Sequence, residues 1–181
     1  MPNYADINGG PMKKLQIQQY LRKLQLNDFE PAVNLATLTK LQDAHLKYIP
    51  YENFDSLNGK ITSLKRQDMF NKVIMHNRGG ICFELNGLYN WLLESLGFEV
   101  TSYAARFIDK METYQLRRHR VMCVALGEKR YLTDVGVNSE SPRVPLEIVE
   151  GLIQSDGISQ YKFTRSEFWG WLLWQKERGK I

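Results

Sequence analysis

Cysteine is scarce in this sequence: Cys82 and Cys123 are the only two among 181 residues. There is no Cys-x-x-Cys, and no short Cys/His spacing of the kind that assembles a zinc site, so neither a disulfide framework nor a structural metal is expected. Histidine is nearly as sparse, at His45, His76 and His119, and a metal centre of Cys82, His119 and Cys123 would need a spacing these positions lack. Long apolar runs are missing too. Nothing approaches the roughly 18 residues of a membrane span, and the opening Met-Pro-Asn-Tyr-Ala-Asp has neither the charged nor the apolar region of a secretory leader. A cytoplasmic protein with no membrane partner is the expectation. A large excess of one charge is also absent. The net charge of +4 describes a solvated surface more than a nucleic-acid-binding one. Arg117, Arg118 and Arg120 form the one local excess; it could meet the phosphates of a cofactor, but no nucleic-acid recognition motif accompanies it.

What is present suffices to fold. With 43% hydrophobic side chains, a chain of this length buries roughly 70% of the surface it exposes when unfolded. One domain, or two small ones sharing a core, is expected. The first half carries helical periodicity. From Lys13 to Leu26 the apolar residues Ile17, Tyr20, Leu21 and Leu24 share one face, and Asn27-Asp28 is expected to end the helix. Asn34 is placed to cap a second helix bearing Leu35, Leu38, Leu41 and Tyr48, which Pro50 stops. Phe70, Val73 and Ile74 mark a third, ended near Gly79-Gly80. Leu85, Leu88, Tyr89, Leu92 and Leu96 form the stripe of a fourth, with Gly97 where a left-handed terminal residue is wanted.

After Gly97 the apolar period shortens to two. Strands are expected over Phe98–Phe107, His119–Leu126, Arg130–Val135, Leu146–Val149, Gln160–Phe163 and Trp169–Gln175, with Ser155-Asp156-Gly157 as a turn. The order of elements predicts an α+β protein: a helical bundle over residues 1–97, then an antiparallel β-sheet or barrel domain over residues 98–181. Trp169, Trp171 and Trp174 read as strand core in preference to a stacking platform.

Cys82 stands at the first turn of the fourth helix, after Arg78-Gly79-Gly80-Ile81. Free amides and the positive end of the helix dipole there favour a thiolate, and the glycines would let a substrate carbonyl approach. It reads equally as a small buried hydrophobe. If Gly127-Glu128 makes a two-residue hairpin turn, Val121 falls opposite Asp134 and His119 becomes the diagonal neighbour of Asp134, roughly 7 to 8 Å away between backbones. That reach suits an imidazole-carboxylate hydrogen bond, which would leave the other ring nitrogen for the cysteine proton. A strand histidine with a satisfied ring and a strand-end aspartate holding backbone amides are the plainer alternatives. His45 reads as part of a packed helix face, His76 as a helix terminus, and Cys123 as core.

Four local sequences, read together, resemble the arylamine N-acetyltransferase family. Arg78-Gly-Gly-Ile-Cys82-Phe-Glu-Leu-Asn-Gly-Leu88 is similar to its nucleophile motif and Ile49-Pro-Tyr-Glu-Asn-Phe54 to its Pro-Phe-Glu-Asn segment. His119-Arg-Val-Met and Tyr131-Leu-Thr-Asp134-Val-Gly136 resemble its histidine and aspartate motifs, and all four stand in the family's order. The resemblance implies a cysteine-protease-like core with a Cys82–His119–Asp134 triad. It implies ping-pong transfer of an acetyl group from acetyl-coenzyme A, through acetyl-Cys82, to an arylamine or hydrazine, with no metal, in xenobiotic metabolism. The amide of Cys82 would be one oxyanion donor. Tyr51 and Val137 match positions that line the acyl and amine pocket, although the family usually has phenylalanine at the first and Phe-Gly where Val137-Asn138 stands here. The family pattern also includes a third domain after the sheet region, which would follow Ile181. Without it, weak transfer, slow thioester hydrolysis and self-association through the Trp169–Trp174 strand into a homo-oligomer are expected. An amide synthase or thioester hydrolase using the same triad, and a non-catalytic binding module, are the competing readings.

Overall fold

The computed structural model describes residues 10–108, 116–137 and 140–177. Among these described residues five helices come first: α1 (Lys14–Lys23), α2 (Leu35–Tyr48), α3 (Phe54–Leu57), α4 (Arg66–Phe70) and α5 (Cys82–Ser95). Seven strands follow: β1 (Glu99–Ala105), β2 (His119–Leu126), β3 (Lys129–Thr133), β4 (Leu146–Glu147), β5 (Ile153–Ser155), β6 (Ser159–Ser166) and β7 (Gly170–Glu177). The strands form two antiparallel sheets, ordered β1-β2-β3-β4 and β5-β6-β7. The α+β class read from the change of period is the class observed.

Local chemistry explains most helix ends. Asn34 Oδ1 accepts the Thr37 amide at 2.8 Å, capping α2 as its residue type demands. Helix α1 ends earlier than expected. Gln25, not Asn27, takes the left-handed conformation at φ 59°, and the Leu26 amide closes back on the Leu21 carbonyl at 2.9 Å. Gly97 does the same for α5 at φ 91°, with Phe98 N–H bonded to Leu93 O at 3.0 Å. The third predicted helix differs more. α4 passes directly into a π-helical turn, Asn71–Met75, and ends there because Asn77 turns left-handed at φ 54°. The Gly79-Gly80 pair lies beyond that end, in an extended segment where Gly80 bridges Tyr51. Neither the π turn nor the short helix α3 carries a periodic signal of its own.

One hydrophobic core joins the helices to the first sheet. Tyr20, Leu38, Leu41, Val73, Leu88, Tyr89 and Leu92 are buried together with Met122, Val124 and Tyr131 from β2 and β3. Apolar contact therefore crosses residue 97, and α5 is held against β2 on the side where its N-terminus meets the start of that strand. A buried amide reinforces the join: Gln42 of α2 donates to the Pro142 carbonyl and accepts from the Thr133 hydroxyl. The second sheet has a small core of Leu146, Tyr161 and Phe163. That core does not include the tryptophans. Trp171 and Trp174 are 43% and 57% exposed and Trp169 is half-buried, which corrects the strand-core reading: β7 is an edge strand paired only to β6, and no other described element covers it.

Candidate active site

Cys82 is the first residue of α5, where the helix leaves its leading amides unbonded and its dipole is positive. The thiol is half-buried and its Sγ lies 3.6 Å from the Arg118 carbonyl. His119 opens β2 and is buried. Asp134 follows β3 by one residue. Pairing runs from Leu126↔Lys129 to Met122↔Thr133, the register of the two-residue Gly127-Glu128 turn. It brings His119 Nε2 within 2.6 Å of Asp134 Oδ2. The carboxylate thus occupies one ring nitrogen, and Nδ1 is the one left for the sulfur. Burial pulls the His119 imidazolium down, but the hydrogen bonds to Asp134 and Cys82 outweigh it and raise the group to about 9. The sulfur, the imidazole and the carboxylate come from a helix start, a strand start and a strand end that one core packs together.

Asp134 has further partners. Its Oδ1 accepts the Asn86 side-chain amide at 2.8 Å and the Gly136 backbone amide at 2.8 Å. Asn86 also donates to the Arg120 carbonyl and accepts the Val135 amide at 2.9 Å. It is fully buried, one helical turn from Cys82 on the same face. In the sequence Asn86 stands inside the nucleophile-like motif, and an asparagine within an apolar helix is the signal that marks it. Gly136 completes the fit. A Cβ there would stand 2.8 Å from Cys82 Cα and 2.7 Å from Asn86 Nδ2, so only glycine lets the segment after β3 lie against the start of α5.

A cavity of about 350 Å³ opens beside the sulfur, lined by Tyr51, Cys82, Phe107, Arg118, His119, Gly136, Val137 and Glu140. Tyr51 and Val137 stand on its walls, while Asn138 lies outside the described residues. Partial burial and the nearby Cys82 sulfur push the Tyr51 phenol upward. The Phe107 ring lies 5.2 Å from that of His119. Phe107 closes the expected Phe98–Phe107 strand but lies beyond the end of β1 at Ala105, and Glu140 stands in a connection that no periodicity marks, so neither carries a sequence signal for the cavity. A larger opening of about 660 Å³, between α2 and Arg143 and Asp156, contains neither the thiol nor a histidine and is remote from this chemistry. No cluster of His, Cys, Asp or Glu among the described residues could hold a metal ion, and no helix among them is long and apolar enough to cross a membrane.

The remaining sequence candidates lie elsewhere. His45 is fully buried between the Tyr20 and Tyr89 rings, at 6.0 and 5.3 Å, with neither ring nitrogen hydrogen-bonded. Burial lowers it to about 3. His76 terminates the π turn. Cys123 is buried, which pushes its thiol up. In the arginine cluster, Arg118 borders the cavity, Arg117 is exposed, and Arg120 bonds the Ser102 hydroxyl at 3.0 Å.

A helix-borne thiol facing a histidine and a carboxylate on the adjoining antiparallel sheet defines the cysteine-protease-like class of folds. Within that class, an N-acetyltransferase family model matches residues 34–181. The arylamine N-acetyltransferase of Mycolicibacterium smegmatis is 35% identical over 152 residues, covering 81% of this chain and 55% of that protein. That of Escherichia coli is 34% identical over 132 residues, covering 72% and 47%. The solved arylamine N-acetyltransferase of Salmonella typhimurium superposes with a TM-score of 0.85 at 27% identity, over 93% of this chain and 61% of that one. The Mycobacterium marinum enzyme in complex with CoA does so at 0.79 and 28%, over 88% and 60%. The chain belongs to the arylamine N-acetyltransferase family, and it spans about half the length of the curated relatives it matches.

Proposed function

We propose that this chain moves an acetyl group from acetyl-coenzyme A to the nitrogen of an arylamine or hydrazine through acetyl-Cys82. The observation that carries the reading is the 2.6 Å contact between His119 Nε2 and Asp134 Oδ2, on an imidazole whose other side is turned to a sulfur at a helix N-terminus. His119 takes the thiol proton and becomes imidazolium; Asp134 and the buried surroundings hold it in that form. The Cys82 sulfur adds to the thioester carbonyl, the oxyanion is received by first-turn amides of α5 such as that of Cys82, and the coenzyme thiolate leaves with the proton from His119. In the second half the amine attacks acetyl-Cys82, His119 removes its proton, and the Cys82 sulfur leaves. Tyr51, Phe107 and Val137 supply apolar walls for the acyl group and the aromatic amine, while Arg118 and Glu140 make the rest of the lining polar.

Mass spectrometry after mixing with acetyl-coenzyme A tests this directly. Cys82 is expected to gain the mass of one acetyl group, Cys82→Ala to gain none, and an arylamine to discharge the adduct. A folded wild-type chain that takes up no acetyl group at saturating donor would leave the binding-module reading standing. An adduct lost to water at a rate indifferent to amine would point to a thioester hydrolase.

A further inference from the structure

The helix start that carries Cys82 also carries a buried carboxylate of the wrong sign for a thiolate. Glu84, 3% exposed, turns back so that its Oε2 accepts the Ile81 amide at 3.0 Å. Gly80 packs against it, since a Cβ there would stand 3.0 Å from Glu84 Oε2. Unbalanced, this buried negative charge would compete with the Cys82 sulfur for the first-turn amides and the positive end of the helix. Lys72 balances it. Its Nζ lies 2.8 Å from Glu84 Oε1 and 2.9 Å from Asp55 Oδ2, with the side chain 17% exposed. Asp55 in turn meets Arg78 at 3.2 Å, and Arg78 meets Glu52 at 2.7 Å. Lys72 and Arg78 are therefore the two cations that bridge three carboxylates, with Lys60 reaching Asp55 from the exposed side at 3.7 Å, and among the described residues Lys72 is the one cation of the three bonded to Glu84.

The backbone is shaped to put it there. Lys72 sits in the π turn, where the His76 amide reaches the Asn71 carbonyl at 2.9 Å, and its own carbonyl accepts the Arg78 amide at 3.1 Å. π turns are rare and recur at functional positions. Here the widened turn keeps Phe70, Val73 and Ile74 in the core while bringing both cations onto Asp55.

We infer that Lys72 is a positioning residue for Cys82: it pins and neutralises Glu84, so that the Ile81 amide is capped and the remaining first-turn amides serve the sulfur. This rests on Cys82 being the nucleophile. It differs from a plain surface ion pair because the effect runs through one buried carboxylate, so removing that carboxylate cancels the need for the lysine.

The test is the rate of Cys82 alkylation by iodoacetamide at neutral pH, read by mass spectrometry on the full chain, with Cys123 as internal reference. Lys72→Met is expected to react about tenfold more slowly, and Lys72→Arg to stay within about twofold of wild type. The double variant Lys72→Met/Glu84→Gln is expected to recover to within about threefold, because the glutamine oxygen still accepts the Ile81 amide and no charge is stranded. A wild-type rate in folded Lys72→Met overturns the inference. So does a double variant as slow as the single one, the outcome of a merely structural role. Should Lys72→Met fail to unfold cooperatively, the double variant alone decides: folded and about tenfold slow, it defeats the inference. Alkylation needs no acetyl donor, so a wild type that alkylates at Cys82 but never acetylates would sink the transfer reaction and leave this inference intact.

Discussion

Asn86 donates its side-chain amide to Asp134 at 2.8 Å while accepting the Val135 backbone amide at 2.9 Å, and so ties the helix of Cys82 to the carboxylate behind His119. The helix that begins at Cys82 and the Asp134 carboxylate are thereby fixed to each other by a bond that bypasses His119.

Asn86→Ala leaves the Val135 amide without its partner in a buried site, removes one donor from the Arg120 carbonyl, and deprives Asp134 of another. A loss of about 1–3 kcal/mol in unfolding free energy is expected from the stranded amide, together with a fall in acylation rate of at least tenfold as Asp134 loses its orientation. Denaturant unfolding and the burst with 4-nitrophenyl acetate measure the two effects. A stable but slow variant, or an unstable but fast one, would show that the bond serves only one of them.

His119 makes stability depend on alkaline pH. Its folded value is raised to about 9 from an unfolded 6.5, because the Asp134 and Cys82 hydrogen bonds outweigh burial. The folded chain therefore binds the proton more tightly, and the stabilisation is complete below pH 6.5 and lost as pH rises through about 9. The thermal midpoint of the wild type is expected to fall across that window, and that of His119→Gln to vary much less. Equal slopes for the two proteins would contradict the assignment.

His45 acts in the opposite direction. It is depressed to about 3 by burial, so it stays neutral when folded but gains a proton below pH 6.5 when unfolded. Its burial destabilises the fold progressively as pH drops from 6.5 towards 3. Neither ring nitrogen has a partner, which adds a cost at every pH. His45→Leu should raise the midpoint by an amount equivalent to about 1 kcal/mol at neutral pH, and by more at pH 5. Calorimetry at the two values checks it; a lowered midpoint at pH 5 would mean that the ring's packing between Tyr20 and Tyr89 outweighs its polarity.

Much of this architecture could be read from the residues, and the parts that could were governed by short-range rules. Asn34 capping α2, Gly97 closing α5, and the register of β2 with β3 each follow from a few neighbours in sequence. That last register brought His119 to Asp134. The features that escaped depend on contacts distant in the chain. Glu140 and Phe107 line the cavity from loops, the π turn at Asn71–Met75 serves a bridge from Asp55 to Glu84, and Asn86 takes its part only because strand β2 and the segment after β3 both pass its side chain. The tryptophans of β7 misled for a related reason: aromatic, β-prone residues are equally at home on an uncovered strand.

The tight connection Gly127-Glu128 couples loop length to chemistry. Side chains alternate between sheet faces with a period of two, so a single residue inserted in that bend, or removed from it, would turn His119 away from Asp134 without touching either one. Insertions elsewhere on the surface would cost the chain little by comparison. Tolerance to length change in this hairpin is thus a gauge of whether catalysis, and not folding alone, constrains it.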